Sequence, residues 1–310
     1  MMQVGYTLLV HGGAGTLRPE AMAGREDAFR DGLRRALRAG GAVLAGGGGA
    51  LDAVVAAVVE LEEDELFNAG RGAVLTDAGR HEMDAAVMDG ADRRVGAVAG
   101  VCGPRNPVRA ARAVMEGSEH VLLAGEGALT FCRRAGLEWA EEEWFGTETR
   151  REALRHVLRE RKEGARVDDF DKHGTVGAVA RDAAGRLAAA TSTGGMTAKR
   201  PGRIGDSPVP GAGTWADGSC AVSCTGTGEL FIRSAVAHEI SARMRFLHEG
   251  VGAAADAVLG ALPGEAGGLI AVGADGAWTM PFNTRGMYRG VLTAGREPAV
   301  AIYGEEPATG

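Results

Sequence analysis

The chain has 310 residues, 45% of them apolar, and a formal net charge of −7. That length and apolar share suit a large folded core and exclude a disordered chain. Its 34 Lys and Arg residues are scattered among 41 Asp and Glu, which excludes the basic patch that a nucleic-acid surface needs.

The first segment, "YTLLVHGGAGT" from Tyr6 to Thr16, reads as a buried strand running into a glycine loop. No basic region followed by an apolar run and a cleavage site precedes it, and no stretch is apolar and long enough to span a bilayer. Cys102, Cys132, Cys220 and Cys224 form no CxxC pair and match no common zinc spacing. The expectation is a cytoplasmic protein with reduced thiols and no membrane partner. Apolar residues recur at helical spacing over 24–46 and 50–65. Residues 81–101 instead form two strand-like runs around Asp89-Gly90-Ala91-Asp92, a hairpin signal. Helical patterns return at 106–117 and 128–136. Charge dominates from Glu138 to Asp171, where a helix starting near Thr149 gives way to a polar connector.

Apolar structure restarts at Thr175. Residues 175–195 read as strand, Asp182-Ala183-Ala184-Gly185 turn and strand; 220–229 as a strand entering a glycine loop. One helix is predicted over 229–250, a hairpin over 267–283 and a last strand over 298–304. Hairpins outnumber strand–helix alternations, which favours antiparallel sheets covered by helices.

Several common sites are excluded. There is no GxxxxGK[ST], no GxSxG and no HExxH, and the seven histidines are dispersed. What remains is a concentration of Thr and Gly at strand ends: Thr175, Thr193 in "TSTGG" and Thr225 in "CTGTG". Ends converging on one edge would make a hydroxyl-rich site. Thr is also common in strands through β-propensity alone, and neighbouring Gly also marks turns.

The run "GTVGAVARDAAGRLAAATSTGGMTAKRPGRIGDSPVPGAG", then "VSCTGTGE", closely resembles the plant-type asparaginase and isoaspartyl peptidase family. So do "HGGAG", "LFNAGRGAVLT", "MDAAVMDG" and "GAVAGV" in the first half. The likeness runs from Val10 to about Tyr303. It implies an α+β fold: a four-layer αββα sandwich of mainly antiparallel sheets, the N-terminal-nucleophile hydrolase fold. It implies one domain over 1–310, cut by the chain itself between Gly174 and Thr175 into 1–174 and 175–310, and a homodimer of such two-chain protomers.

The chemistry is coherent. Thr175 Oγ1 attacks the Gly174 carbonyl in an N-to-O acyl shift, and water hydrolyses the ester. The freed α-amine, with a reference pKa of about 7.7–8.0, then serves as base for its own hydroxyl. The resemblance gives Thr193 a contact to the nucleophile, Thr225 and Gly226 the oxyanion hole, and Asn68 a supporting place beside them. Arg203, Asp206 and Gly228 become the clamp on the α-carboxylate and α-ammonium of a free aspartyl group. Read without the resemblance, Arg203 and Asp206 also fit a surface ion pair in a turn. No catalytic cofactor is implied. A structural sodium is, held by the backbone carbonyls of Leu61, Glu62, Asp64, Phe67, Ala69 and Arg71, although the acidic run alone reads as a charged helix end.

Two departures stand out: a connector shorter than is common in the family, and Asp64-Glu65 where relatives often carry Cys-Pro. The implied substrates are L-asparagine and β-aspartyl dipeptides. The rivals are a glycosylasparaginase, a threonine aspartase and a non-cleaving amino-acid sensor.

Overall fold

The computed structural model describes residues 5–15, 17, 22, 24–164, 174–305 and 308–309. The polar end of the connector, 165–173, and Thr16 lie outside the described residues. The helices are α1 (Glu26–Ala45), α2 (Ala50–Glu63), α3 (Pro107–Gly117), α4 (Gly125–Arg134), α5 (Glu142–Phe145), α6 (Glu148–Lys162), α7 (Gly228–Ser234), α8 (Val236–Leu247) and α9 (Val251–Gly260). The strands are β1 (Thr7–Gly15), β2 (Met83–Asp89), β3 (Val95–Val101), β4 (Leu122–Ala124), β5 (Val176–Arg181), β6 (Leu187–Thr193), β7 (Thr214–Ala216), β8 (Cys220–Gly226), β9 (Gly267–Gly273), β10 (Trp278–Thr279), β11 (Gly286–Thr293), β12 (Ala299–Ala301) and β13 (Ala308–Thr309).

Among the described residues these strands form two sheets. One has nine strands in the order β13-β12-β11-β1-β5-β6-β2-β3-β4; the other has four, β10-β9-β8-β7. All their pairings are antiparallel except β3 with β4. Strand alternation sorts side chains into layers. Leu8 and Val10 of β1 face a core shared with Leu33 of α1 and Val54 and Val58 of α2. Leu9, between them, faces the second sheet with Val179, Ala189 and Val272. Beyond that sheet, Val222 packs on Ile240 of α8 and on Ala254 and Val258 of α9. Helix, sheet, sheet, helix is the expected four-layer sandwich. No helix among the described residues is long and apolar enough to cross a membrane.

Helix α1 forms because Phe29, Leu33, Ala36, Leu37 and Leu44 recur every three or four residues on its buried face. Strand β1 is buried along its whole length, paired with β11 on one side and β5 on the other. Its pairing with β11 shifts register between His11 and Gly13. This irregularity, with Gly13 at φ 116°, turns the glycine loop towards Gly174.

Two expectations need correcting. The helix predicted over 229–250 is two helices, because Ala235 takes a left-handed conformation (φ 45°, ψ 45°) between α7 and α8. Strand β11 was missed although it lies beside β1; its Gly286, Arg289 and Gly290 break the apolar run that would have marked it.

Candidate active site

Thr175 sits immediately before β5, and Thr193 ends β6, its hairpin partner. The register pairs Val176 with Ser192, so the two threonines meet at one sheet end. Thr175 Oγ1 donates to Thr193 Oγ1 at 3.1 Å. Thr193 Oγ1 donates in turn to the Gly174 carbonyl at 3.0 Å and accepts from Gly195 N at 2.9 Å. A hydroxyl relay therefore leads from Thr175 Oγ1 to the oxygen of the peptide bond that precedes it.

The same carbonyl accepts from Asn68 Nδ2 at 2.7 Å. The second Nδ2 proton goes to Gly195 O at 2.7 Å, and Oδ1 accepts from Val74 N at 2.8 Å. Every polar atom of the Asn68 amide is used, so its orientation is fixed. Packing here is close enough to demand glycine: a Cβ at Gly174 would lie 2.9 Å from Asn68 Cβ.

Thr225 comes from the second sheet, so the site spans both sheets instead of one edge. In the unbroken chain Thr225 Oγ1 accepts from Ala14 N at 3.2 Å. Gly226 lines a small cavity with Gly174, Thr175, Thr193, Met196, Arg203 and Asp206. The donors on the Gly174 oxygen are thus Asn68 and Thr193, while Gly226 lines the same cavity and Thr225 precedes it on β8.

Arg203 and Asp206 are drawn together at this cavity. A Cβ on Gly228 would meet Asp206 Oδ1 at 2.9 Å and Arg203 Nη2 at 3.0 Å, so only glycine leaves that space open. Asp206 is buried, and its Oδ2 and the Ser207 hydroxyl have no hydrogen-bond partner among the described residues. Burial pushes the Asp206 carboxyl up to about 7, Arg203 drawing the other way. A buried acceptor without a partner is costly, and a cationic donor entering the cavity would satisfy it. Arg203 is held by a two-pronged contact to Glu229, both bonds 2.9 Å. Sequence reasoning missed Glu229 and Ser207; "GDSP" and "TGTGE" carry them, but nothing local signals their facing the clamp.

His11 was also missed. Its Nδ1 lies 2.9 Å from the Thr175 carbonyl and its Nε2 2.9 Å from Ser223 Oγ. A carbonyl only accepts, so Nδ1 carries the proton and Nε2 accepts from Ser223. Ser223 has then spent its proton, which makes Thr191 the donor across their 2.7 Å contact. Thr214 donates to Thr191, also at 2.7 Å. This one-way chain crosses from β7 and β8 to the nucleophile's own backbone. Burial drives the His11 pKa down to about 3, despite its bond to Thr175, so the ring is neutral and orients without acting as a base.

The segment assigned to sodium curls tightly after α2. Arg71 N donates to Glu62 O at 2.7 Å and Phe67 N to Asp64 O at 3.2 Å. A Cβ at Gly70 would lie 2.5 Å from Glu62 O, and one at Gly72 2.5 Å from Glu65 O and 2.6 Å from Phe67 O. Of the carbonyls assigned to the ion, those of Glu62 and Asp64 already accept these backbone N–H bonds, while those of Glu62 and Phe67 lie against glycine backbone.

Two facing sheets inside helical layers, with a threonine heading a central strand, define an N-terminal-nucleophile hydrolase fold. A family model described as asparaginase matches residues 4–302, and the chain belongs to that family. It is 49% identical over 315 residues to an isoaspartyl peptidase of Escherichia coli (strain K12), covering 97% of each. It is 45% identical over 298 residues to a plant-type L-asparaginase of Pyrobaculum calidifontis, covering 92% of this chain and 96% of the relative. An isoaspartyl peptidase/L-asparaginase of Mus musculus is 41% identical over 297 residues, at 92% and 87% coverage.

Proposed function

We propose that this protein hydrolyses β-aspartyl dipeptides and L-asparagine, after cutting its own backbone between Gly174 and Thr175. The observation that carries this reading is the Gly174 carbonyl, gripped by Asn68 and Thr193 while Thr193 also accepts the Thr175 proton. Attack by Thr175 Oγ1 makes a tetrahedral carbon whose oxyanion those donors stabilise. The C–N bond breaks as the proton lost by the Thr175 hydroxyl passes to the departing amine, and water opens the resulting ester.

The new amine of Thr175 then deprotonates Thr175 Oγ1 directly. The aspartyl group enters with its α-carboxylate on Arg203 and its ammonium on Asp206. Its β-carbonyl oxygen faces Thr225 and Gly226. The amine leaves with a proton from the Thr175 α-ammonium, and water releases L-aspartate. A sodium ion held by the carbonyls of Leu61, Glu62, Asp64, Phe67, Ala69 and Arg71 would brace the turn that carries Asn68. The working unit is proposed to be a cytoplasmic homodimer of two-chain protomers.

Denaturing mass spectrometry tests the first step: two fragments are expected, the smaller beginning at Thr175. Thr175→Ala should remain one chain and be inactive; a cleaved or active variant would remove Thr175 as nucleophile. If fully cleaved protein leaves both substrate types untouched, the substrate assignment fails.

A further inference from the structure

Two cavities meet at Gly174, the residue before Thr175. One holds the aspartyl clamp. The other, about 200 Å³, is lined by Met22, Phe29, Phe67 and Tyr288, with Arg25, Arg150 and Glu65 as its charged residues, Glu65 being paired with Arg71. Gly174 lines both. In a chain cut after Gly174, withdrawal of that residue would join the two beside Thr175.

The second cavity has a distinct chemistry. Phe29 and Tyr288 stack with centroids 4.4 Å apart, and Phe67 meets each of them edge-on at 5.6 and 6.2 Å. The Tyr288 hydroxyl donates to Met22 Sδ at 3.3 Å, a weak acceptor that a carboxylate would displace. Burial pushes the Tyr288 phenol pKa up, with Arg25 and Arg150 drawing the other way. Arg25 is exposed, with its guanidinium 5.6 Å from the Phe29 ring centre. Arg150 is anchored by the Gly72 and Leu66 carbonyls.

A β-aspartyl bond has the aspartyl group on one side of its carbonyl and the leaving amino acid on the other. With the first in the clamp, the second must extend across Thr175. We propose that the aromatic cavity is the leaving-group subsite of the cleaved enzyme: its rings take an apolar side chain, while Arg25 and the Tyr288 hydroxyl take the α-carboxylate. This rests on the hydrolase reading above. Asparagine releases only ammonia and leaves the cavity unused, so the ratio of the two activities reports on the subsite.

The experiment measures kcat/KM of fully cleaved protein with β-aspartyl-leucine, its carboxyl-amidated form, β-aspartyl-lysine and asparagine. For wild type, β-aspartyl-leucine should exceed its amidated form about tenfold, the order of one charge-assisted hydrogen bond, and β-aspartyl-lysine about tenfold, the order of burying one apolar side chain. Arg25→Met with Tyr288→Phe should lower the ratio of β-aspartyl-leucine to asparagine about tenfold, mostly through KM. An unchanged ratio in that double variant, or equal use of the acid and amidated peptides by wild type, would overturn the subsite. Wild type inert to asparagine and all peptides would instead overturn the hydrolase reading, and the subsite with it.

Discussion

Asn68 illustrates how completely one side chain can be committed. It gives both protons to carbonyls and accepts a backbone N–H; of these three bonds, only the one to Gly174 meets the reacting bond. Asn68→Ala removes that donor and leaves Thr193 alone on the oxygen. Losing one oxyanion donor commonly costs on the order of 10²–10³ in rate. The half-time of chain scission, followed by denaturing electrophoresis, should lengthen by about that factor. Asn68→Asp is a useful companion, because it keeps the shape while placing an acceptor opposite a carbonyl; scission should be slowed at least as much. Scission at the wild-type rate in both variants would leave Thr193 as the donor that matters.

At the scale of elements, local pattern carried a great deal. The β5–β6 hairpin was legible from two apolar runs around Asp182-Ala183-Ala184-Gly185, and with it the pairing that joins Thr175 to Thr193. The place of β8 on a second sheet was not legible, because periodicity says how a strand alternates and nothing about which sheet it joins. The break between α7 and α8 was hidden for another reason. Alanine is the best helix former, so "RSAVAH" reads as continuous helix, yet Ala235 holds the left-handed conformation that favours glycine. Ala235 is exposed, which leaves backbone strain as the main term. Ala235→Gly relieves a penalty of about 1–2 kcal/mol but adds unfolded-state freedom, for a net gain of ~0.5–1 kcal/mol. Urea unfolding of the uncut Thr175→Ala chain, with and without the substitution, should show this as a higher midpoint at unchanged slope. A lower midpoint would mean that strain at this junction is negligible.

For the whole molecule, a polar seam of His11, Ser223, Thr191 and Thr214 joins the two sheets within the apolar layer between them. His11 binds the Thr175 backbone on one side and Ser223 on the other, so one of the contacts between sheets and the orientation of that backbone share a single ring. A dispersed histidine in a glycine-rich strand gave no sequence signal for this, since Ser223 is 212 residues away. Folding holds the ring neutral, with its pKa lowered from 6.5 to about 3 by burial. A base whose folded pKa is depressed binds fewer protons when folded, so its contribution is complete above the unfolded value and is lost as pH falls towards the folded one. Stability should therefore decline on acidification below pH 6.5, by ~1.4 kcal/mol per pH unit from this group alone. Asp206 works in the opposite sense: its raised pKa makes the folded state bind extra protons, and its contribution fades as pH rises through about 7. Both proteins of a pair differing only at residue 11 carry that opposing term, so it cancels in their difference. His11→Asn retains a donor near the Nδ1 position and removes the titrating ring. In the Thr175→Ala background, the stability of His11→Asn relative to the parent should improve steadily from pH 6.5 to pH 4, read from urea unfolding at each pH. A constant difference across that interval would mean that the ring becomes protonated without opening the seam between the sheets.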